Sequence, residues 1–238
     1  MRVSLVIPAY NEETLLPACL ESVLANAPGA FAEIVVVDNA STDQTGAIAA
    51  RYPGVRVVRE ERKGLPSARE RGRLETSGDF IAYIDADTRL PVGWLAYAEH
   101  VFGSHSEAVS LSGPARYYDA SLFEKVLLEV GWWLSAPLAY RMSGYMIYGA
   151  HFIVRRTALE AAGGFNKDIV FYGEDTDIAR RLSRFGKTIF SMDFRINTSA
   201  RRFLKEGIPH AMMTYAINFL WPALFKRPFT HTHRDVRS

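Results

Sequence analysis

Four short apolar runs, VSLVIP, EIVVVD, VRVV and FIAYID, lie in the first 85 residues, and a stretch with helical character separates each from the next. The intervening helices are expected from about Glu13, from about Thr42 and over residues 65–76. Strand and helix alternating in this way predict βαβ units, hence a mostly parallel sheet with helices on its faces. Ser41 and Gln44 have the spacing of a capping box, Gly64 and Pro66 break the chain before the third helix, and Pro17 falls early in the first, where its missing donor costs little. Ligands of open parallel sheets sit beyond the carboxyl ends of the strands. Three of the runs end in polar clusters, PAYNE, DNASTD and DADT, so a site is expected there.

The second half is less regular. Leu122, Val126, Val130 and Leu134 recur at near-helical spacing within residues 122–140. GYMIYGAHFIV reads as a strand or a pair of strands, DTDIARRLSRFG as a helix closed by Gly186 at its C-cap, and KTIF as a strand. With 238 residues, 48% hydrophobic, and a formal net charge of +2, the chain can bury a sizeable core, and its dispersed basic residues argue against nucleic-acid binding. The single cysteine, Cys19, excludes an internal disulfide framework and falls among Leu15, Leu16, Leu20 and Val23 as a core thiol. The start of the chain lacks a signal-peptide pattern, from which a cytoplasmic location is expected.

Asp85 and Asp87 stand two apart, so in extended chain both carboxylates project to one face. Such a pair suits Mg²⁺ or Mn²⁺ shared with substrate phosphates, and a solvated turn is the plainer reading. Asp38 and Asp43 follow another strand, and Lys63 and Arg69 supply cations that a diphosphate would need. In GEDTD, residues 173–177, Glu174 and Asp175 precede a helix; they either cap it or place a general base beside an acceptor hydroxyl.

VIPAYNE, VVVDNASTDQT, KGLPSARERG, YIDADT and GEDTDIARRL, in that order, resemble family 2 glycosyltransferases. The resemblance implies the α/β GT-A fold, a Rossmann-like, mostly parallel nucleotide-binding sheet flanked by helices, and an inverting transfer from a nucleotide sugar. It places Pro8, Ala9, Tyr10 and Glu12 along the nucleotide, with the acid near the ribose, and Asp38 against the base, usually uracil. Ser41, Gly64 and Arg69 complete the donor-binding set. Asp85, Ala86 and Asp87 match the Asp-x-Asp motif whose second acid ligates Mn²⁺ or Mg²⁺, and Asp175, after Glu174, matches the catalytic base. Relatives often carry Asn where this chain has Glu70, and a metal-ligating histidine downstream where it reads INTSARRF. There Arg201 and Arg202 either pair with diphosphate oxygens or form a solvated basic face.

Residues 1–205 are expected to form the catalytic domain, with 1–115 binding the nucleotide sugar and 116–205 the acceptor, a saccharide or a lipid-linked molecule. The turn Gly163, Gly164 and Phe165 usually borders the acceptor in this family, and His151 either borders it too or is a satisfied structural histidine. Phe123, Trp132, Trp133, Tyr140, Tyr145 and Tyr148 suit sugar faces, a membrane interface or core packing. Residues 206–238 read as a basic amphipathic tail, with Met212, Tyr215, Ala216, Phe219 and Leu220 on one face and Trp221, Lys226, Arg227, Arg234 and Arg237 beyond. Through 209–237 it either lies peripherally on the cytoplasmic membrane face or docks on protein. Two rival functions are a polyprenyl-phosphate sugar transferase and a nucleotide-sugar binder without catalysis.

Overall fold

The computed structural model describes residues 1–169, 173–214 and 217. Its elements run β1 Val3–Ala9, α1 Leu16–Asn26, β2 Glu33–Asp38, α2 Thr45–Ala49, β3 Val55–Arg59, α3 Leu65–Glu75, β4 Phe80–Ile84, β5 Thr88–Arg89 and α4 Trp94–Ser104. The chain continues with β6 Ala108–Ser112, β7 Ala115–Tyr117, α5 Leu122–Ser143, β8 His151–Arg155, α6 Arg156–Ala161, α7 Glu174–Leu182, β9 Lys187–Phe190, β10 Ile196–Thr198 and α8 Arg201–Glu206.

One sheet has the order β3-β2-β1-β4-β8-β6-β9. The strands β3, β2, β1 and β4 are mutually parallel, as the βαβ pattern requires. β8 runs antiparallel to β4 and β6, and β9 is parallel to β6. Strands from both halves of the sequence therefore complete one sheet. After β3 the chain returns to the other side of β1, which makes the gap between β1 and β4 a topological switch point where ligands bind. A second sheet, β5-β10-β7, lies just past the end of β4.

Alternation along the strands divides the core between two faces. Leu5, Ile7, Val36 and Ile84 pack with Leu16, Cys19 and Leu20 of α1 on one. Val6, Val35, Val37 and Tyr83 pack with Ala68 of α3 on the other. Cys19 is a core thiol, and burial pushes its pKa up to about 12. Gly72 lets α3 sit close on β1, for a Cβ there would fall 2.2 Å from Val6 Cγ1.

Several local expectations are corrected. The Ser41–Gln44 capping box does not form, because α2 starts only at Thr45 and Asp43 accepts the Thr45 N–H at 2.9 Å, while the Ser41 hydroxyl accepts from Asn11 N–H at 3.1 Å. Gly186 does not cap α7, which ends at Leu182 with Ser183 in a helical conformation. Only the last four residues of GYMIYGAHFIV lie in a strand, β8; residues 145–150 form the loop before it. The spacing of Leu122, Val126, Val130 and Leu134 does mark a helix, α5, yet all four side chains are exposed. Of the tail, Met212 is partly buried against the core, whereas Tyr215, Ala216, Phe219, Leu220, Trp221 and the basic residues after them lie outside the described residues. Among the described residues no helix is long and apolar enough to cross a membrane.

His151 is a core residue. Its Nδ1 accepts from Trp94 Nε1–H at 3.3 Å and its Nε2–H donates to the Gly113 carbonyl at 2.9 Å. The ring is fully buried, so no acceptor reaches it, which corrects its assignment to the acceptor border. Burial pulls its pKa down to about 4 from 6.5. Arg69 of α3 is likewise buried, at 1% exposure, with one guanidinium nitrogen donating to Glu174 and the other to Asp85 at 3.3 Å and to the Gly149 carbonyl at 2.6 Å. It ties α3, the end of β4, the loop before β8 and α7 together.

Two stability measurements follow from these buried groups. The unfolded His151 takes up a proton near pH 6.5 that the folded ring refuses until about 4, so its contribution is intact above 6.5 and is lost as pH falls. Urea unfolding at pH 7 and pH 5 should show wild type losing about 2 kcal/mol more than His151→Gln over that interval. Arg69→Met leaves Glu174 as an uncompensated buried carboxylate and should destabilise by about 3–5 kcal/mol in the same assay. Adding Glu174→Gln should recover part of that loss.

Candidate active site

The loops after β1 and β2 hold each other through a mutual set of hydrogen bonds. Asn11 and Ala40 adopt positive φ, 51° and 57°, which brings the loops face to face. Thr42 N–H then donates to Asn11 Oδ1 at 2.9 Å, and Glu12 N–H donates to Thr45 Oγ1 at 2.8 Å. Asp38, the last residue of β2, accepts Ser41 N–H at 3.0 Å on one oxygen and Arg59 at 2.6 Å on the other. Asn39 Oδ1 accepts from Gly64 N–H at 2.8 Å, and Gly64 has φ 130°, which an L side chain rarely adopts. Tyr10 lies under Lys63, whose ammonium is 4.9 Å from the ring centroid and donates to the hydroxyl at 3.1 Å. Pro8, Ala9 and Ala86 are buried wall residues. Tyr10, Glu12 and Asp38 thus lie around the carboxyl ends of β1 and β2, with Ser41 and Gly64 as loop fasteners, while Arg69 and Asp85 line a cavity that these residues do not reach.

Asp85 and Asp87 lie in a turn and not in extended chain, and different cations hold them. Thr88 N–H and its hydroxyl both donate to the Asp85 carbonyl, at 3.1 and 2.7 Å, closing that turn. Asp85 turns to Arg69, whereas Asp87 accepts from Thr198 Oγ1 at 3.2 Å and from Arg201 at 2.9 Å. The pairing of β10 with β5 brings Thr198 opposite Thr88, and α8 begins three residues later. Arg201 also forms a two-pronged ion pair with buried Glu12. One guanidinium therefore fastens the β1 loop to the β4 turn, in the stretch where the resemblance led to expecting a histidine. Arg202 pairs with Glu206 along α8 at 3.1 Å.

Two carboxylates and a nearby opening suit a hard cation that takes its other ligands from phosphates and water. Among the described residues no three His, Cys, Asp or Glu side chains converge on one ion position. The donor set thus fits an ion that arrives with a diphosphate.

A cavity of about 470 Å³ opens from Asp85 toward α5. Arg69, Asp85, Glu174 and Asp175 line its polar end, and Leu128, Trp132, Ala139, Met146 and Met212 are among the residues of its apolar walls. Gly173, with φ 83°, turns the chain into α7, so Glu174 and Asp175 occupy the helix's first turn. Their roles separate there. Glu174 is buried against Arg69, and burial pushes its pKa up to about 7 against the pull of that guanidinium. Asp175 is half-buried on the cavity wall, its carboxylate steadied by Thr176 N–H at 2.8 Å; burial raises its pKa, and that hydrogen bond opposes the rise. The Gly163–Gly164–Phe165 turn packs elsewhere: Phe165 N–H donates to Glu70 Oε2 at 3.1 Å, and the ring stacks edge-on to Tyr83. Glu70 pairs with Arg73 and so fastens that turn to α3. Trp132 packs against Tyr148 at the cavity, while Phe123 and Trp133 are exposed.

Arg59, Asn39 and Thr198 were missed by motif reading. Arg59 directly follows VRVV as Asp38 ends EIVVVD, and the two are register partners in the ladder, so strand pairing alone would have found it. Thr198 carries no comparable signal, since a short strand from a distant segment places it.

Comparison with known proteins bears on this arrangement. Residues 4–163 match the family profile "Glycosyl transferase family 2". A dolichol-phosphate mannosyltransferase of Pyrococcus furiosus is 39% identical over 95 residues, 38% of this chain and 27% of that protein. The matched stretches cover about a third of the length of the curated relatives. Among solved structures, the glucosyl-3-phosphoglycerate synthase of Mycobacterium tuberculosis, in complex with Mn²⁺, UDP-glucose and phosphoglyceric acid, superposes with a TM-score of 0.67 at 21% identity, covering 93% of this chain and 79% of that one. The mannosyltransferase PcManGT of Pyrobaculum calidifontis, in complex with GDP-Man and Mn²⁺, gives 0.66 at 21% identity, covering 91% and 64%. The fold is that of the GT-A glycosyltransferases, and with two thirds of its length inside the matched profile the chain belongs to glycosyl transferase family 2.

Proposed function

We propose that the chain is an inverting, divalent-metal-dependent transferase that moves a sugar from a nucleoside diphosphate, UDP in preference to GDP, to an acceptor hydroxyl, with Asp175 as general base. The observation that carries this reading is the convergence of Asp85, Glu174 and Asp175 on one cavity beyond the carboxyl end of β4. UDP follows from the match of Asp38 to the family's base-reading position. Mn²⁺ in complexes of proteins with this fold supports the metal.

Asp175 removes the proton from the acceptor hydroxyl as its oxygen attacks the anomeric carbon. The new glycosidic bond forms on the face opposite the leaving group, the bond from carbon to phosphate oxygen breaks, and the nucleoside diphosphate departs with the electron pair. Asp85 and Asp87 would hold the cation, which when bound supplies positive charge against the charge developing on the leaving diphosphate. Arg201 adds a fixed positive charge beside Asp87. Buried Glu174 acts through Arg69, whose guanidinium holds Asp85 beside the cavity.

This division of labour is open to direct measurement. Asp175→Asn should reduce transfer by about 10²–10⁴-fold while leaving calorimetric binding of UDP with Mn²⁺ unchanged. Asp87→Ala should weaken that binding; equal loss of binding and turnover in both variants would count against the assignment. Because no three His, Cys, Asp or Glu side chains converge among the described residues, Mn²⁺ alone should show no tight binding, UDP with Mn²⁺ should bind, and chelator should abolish the heat. GDP binding as tightly as UDP would remove Asp38 as the base reader.

A further inference from the structure

The outer surface of α5 inverts the usual order of a surface helix. Along its 22 residues the exposed side chains include Leu122, Phe123, Val126, Val130, Leu134 and Leu138, an apolar stripe advancing mostly by four. Of the charged residues, Glu124, Lys125 and Glu129 are only partly exposed and Arg141 in the last turn is exposed, while Glu129 is held near Arg116 and Arg195, 3.6 Å from each. At ~1.5 Å per residue the stripe runs about 24 Å, more than scattered surface apolar residues explain.

The stripe leads into the catalytic cavity. Leu138 and Met142 are exposed on α5 and also line the cavity, whose opposite end holds Asp85 and Asp175. Met212 reaches Gly131 of α5, so the chain leaves the described residues beside this helix. The sequence that follows is apolar through Phe225 and then carries Lys226, Arg227, Arg234 and Arg237. An apolar helix face in a chain whose sequence also carries a cationic segment is complementary to a bilayer with anionic headgroups. A second copy seated on the stripe would cover the cavity's rim, whereas a bilayer there delivers a molecule into it.

We propose that α5 is a membrane-docking helix and that the acceptor is an amphiphile, its hydroxyl-bearing head reaching Asp175 and its hydrocarbon chain lying along the apolar wall formed by α5. The identity of the acceptor rests on the role of Asp175 argued above; the docking face does not.

The test is sedimentation of the full chain with vesicles of phosphatidylcholine and phosphatidylglycerol, beside calorimetric binding of UDP with Mn²⁺. Val126→Ser/Leu134→Ser changes two exposed side chains outside the cavity lining. Wild type should sediment with the vesicles, and the double variant should partition at least about tenfold more weakly with nucleotide binding unchanged. Wild type that stays in the supernatant, as a dimer that the substitutions dissociate or as a monomer, would overturn the proposal. For the acceptor, dodecyl glycosides should compete with transfer better than methyl glycosides of the same sugars; equal competition would overturn the amphiphile. Vesicle binding without nucleotide binding would refute the catalytic reading and leave the docking face standing.

Discussion

A guanidinium buried to 1% exposure organises this molecule. Burying a charge is tolerable only where partners compensate it, and Arg69 finds Glu174, Asp85 and a main-chain carbonyl from three different segments. Those segments are the beginning of α7, the end of β4 and the loop before β8. Because the side chain projects from α3, which Gly72 seats against β1, the geometry of the parallel sheet is transmitted directly to the cavity. A lysine would offer a point charge without the planar fork that reaches two carboxylates and a carbonyl at once.

Much of the fold was legible, and for a physical reason. β1, β2 and β4, buried on both faces, read as unbroken apolar runs, and the edge strand β3 falls where VRVV lies. The five ordered motifs likewise pointed to the family. What local pattern could not show was direction and partnership. The antiparallel insertion of β8, the different partners of Asp85 and Asp87, and the burial of His151 all depend on segments far away in sequence. The spacing in α5 was read correctly as helical, yet periodicity says nothing about which side of a helix meets the protein. The stripe faces outward.

Glu70 shows how a departure from a family pattern can have a structural answer. Its carboxylate is shared between Arg73 and the main chain of Phe165, which makes it a brace between α3 and the turn after α6. Gly164 is required beside it, since a Cβ would lie 2.4 Å from Glu70 Oε2 and the residue has φ 69°. The pair is self-consistent, so each residue explains the other.

The link between Glu12 and Arg201 joins residues 189 positions apart. During synthesis the strands that form the nucleotide side emerge first, and Glu12 waits without its cation until almost all of the described chain has been made. The early half therefore has a reason to stay unfinished, since its first loop closes over an acid that only a late helix neutralises. Assembly of the site then becomes a late event in folding, and a chain interrupted before α8 cannot present a finished pocket.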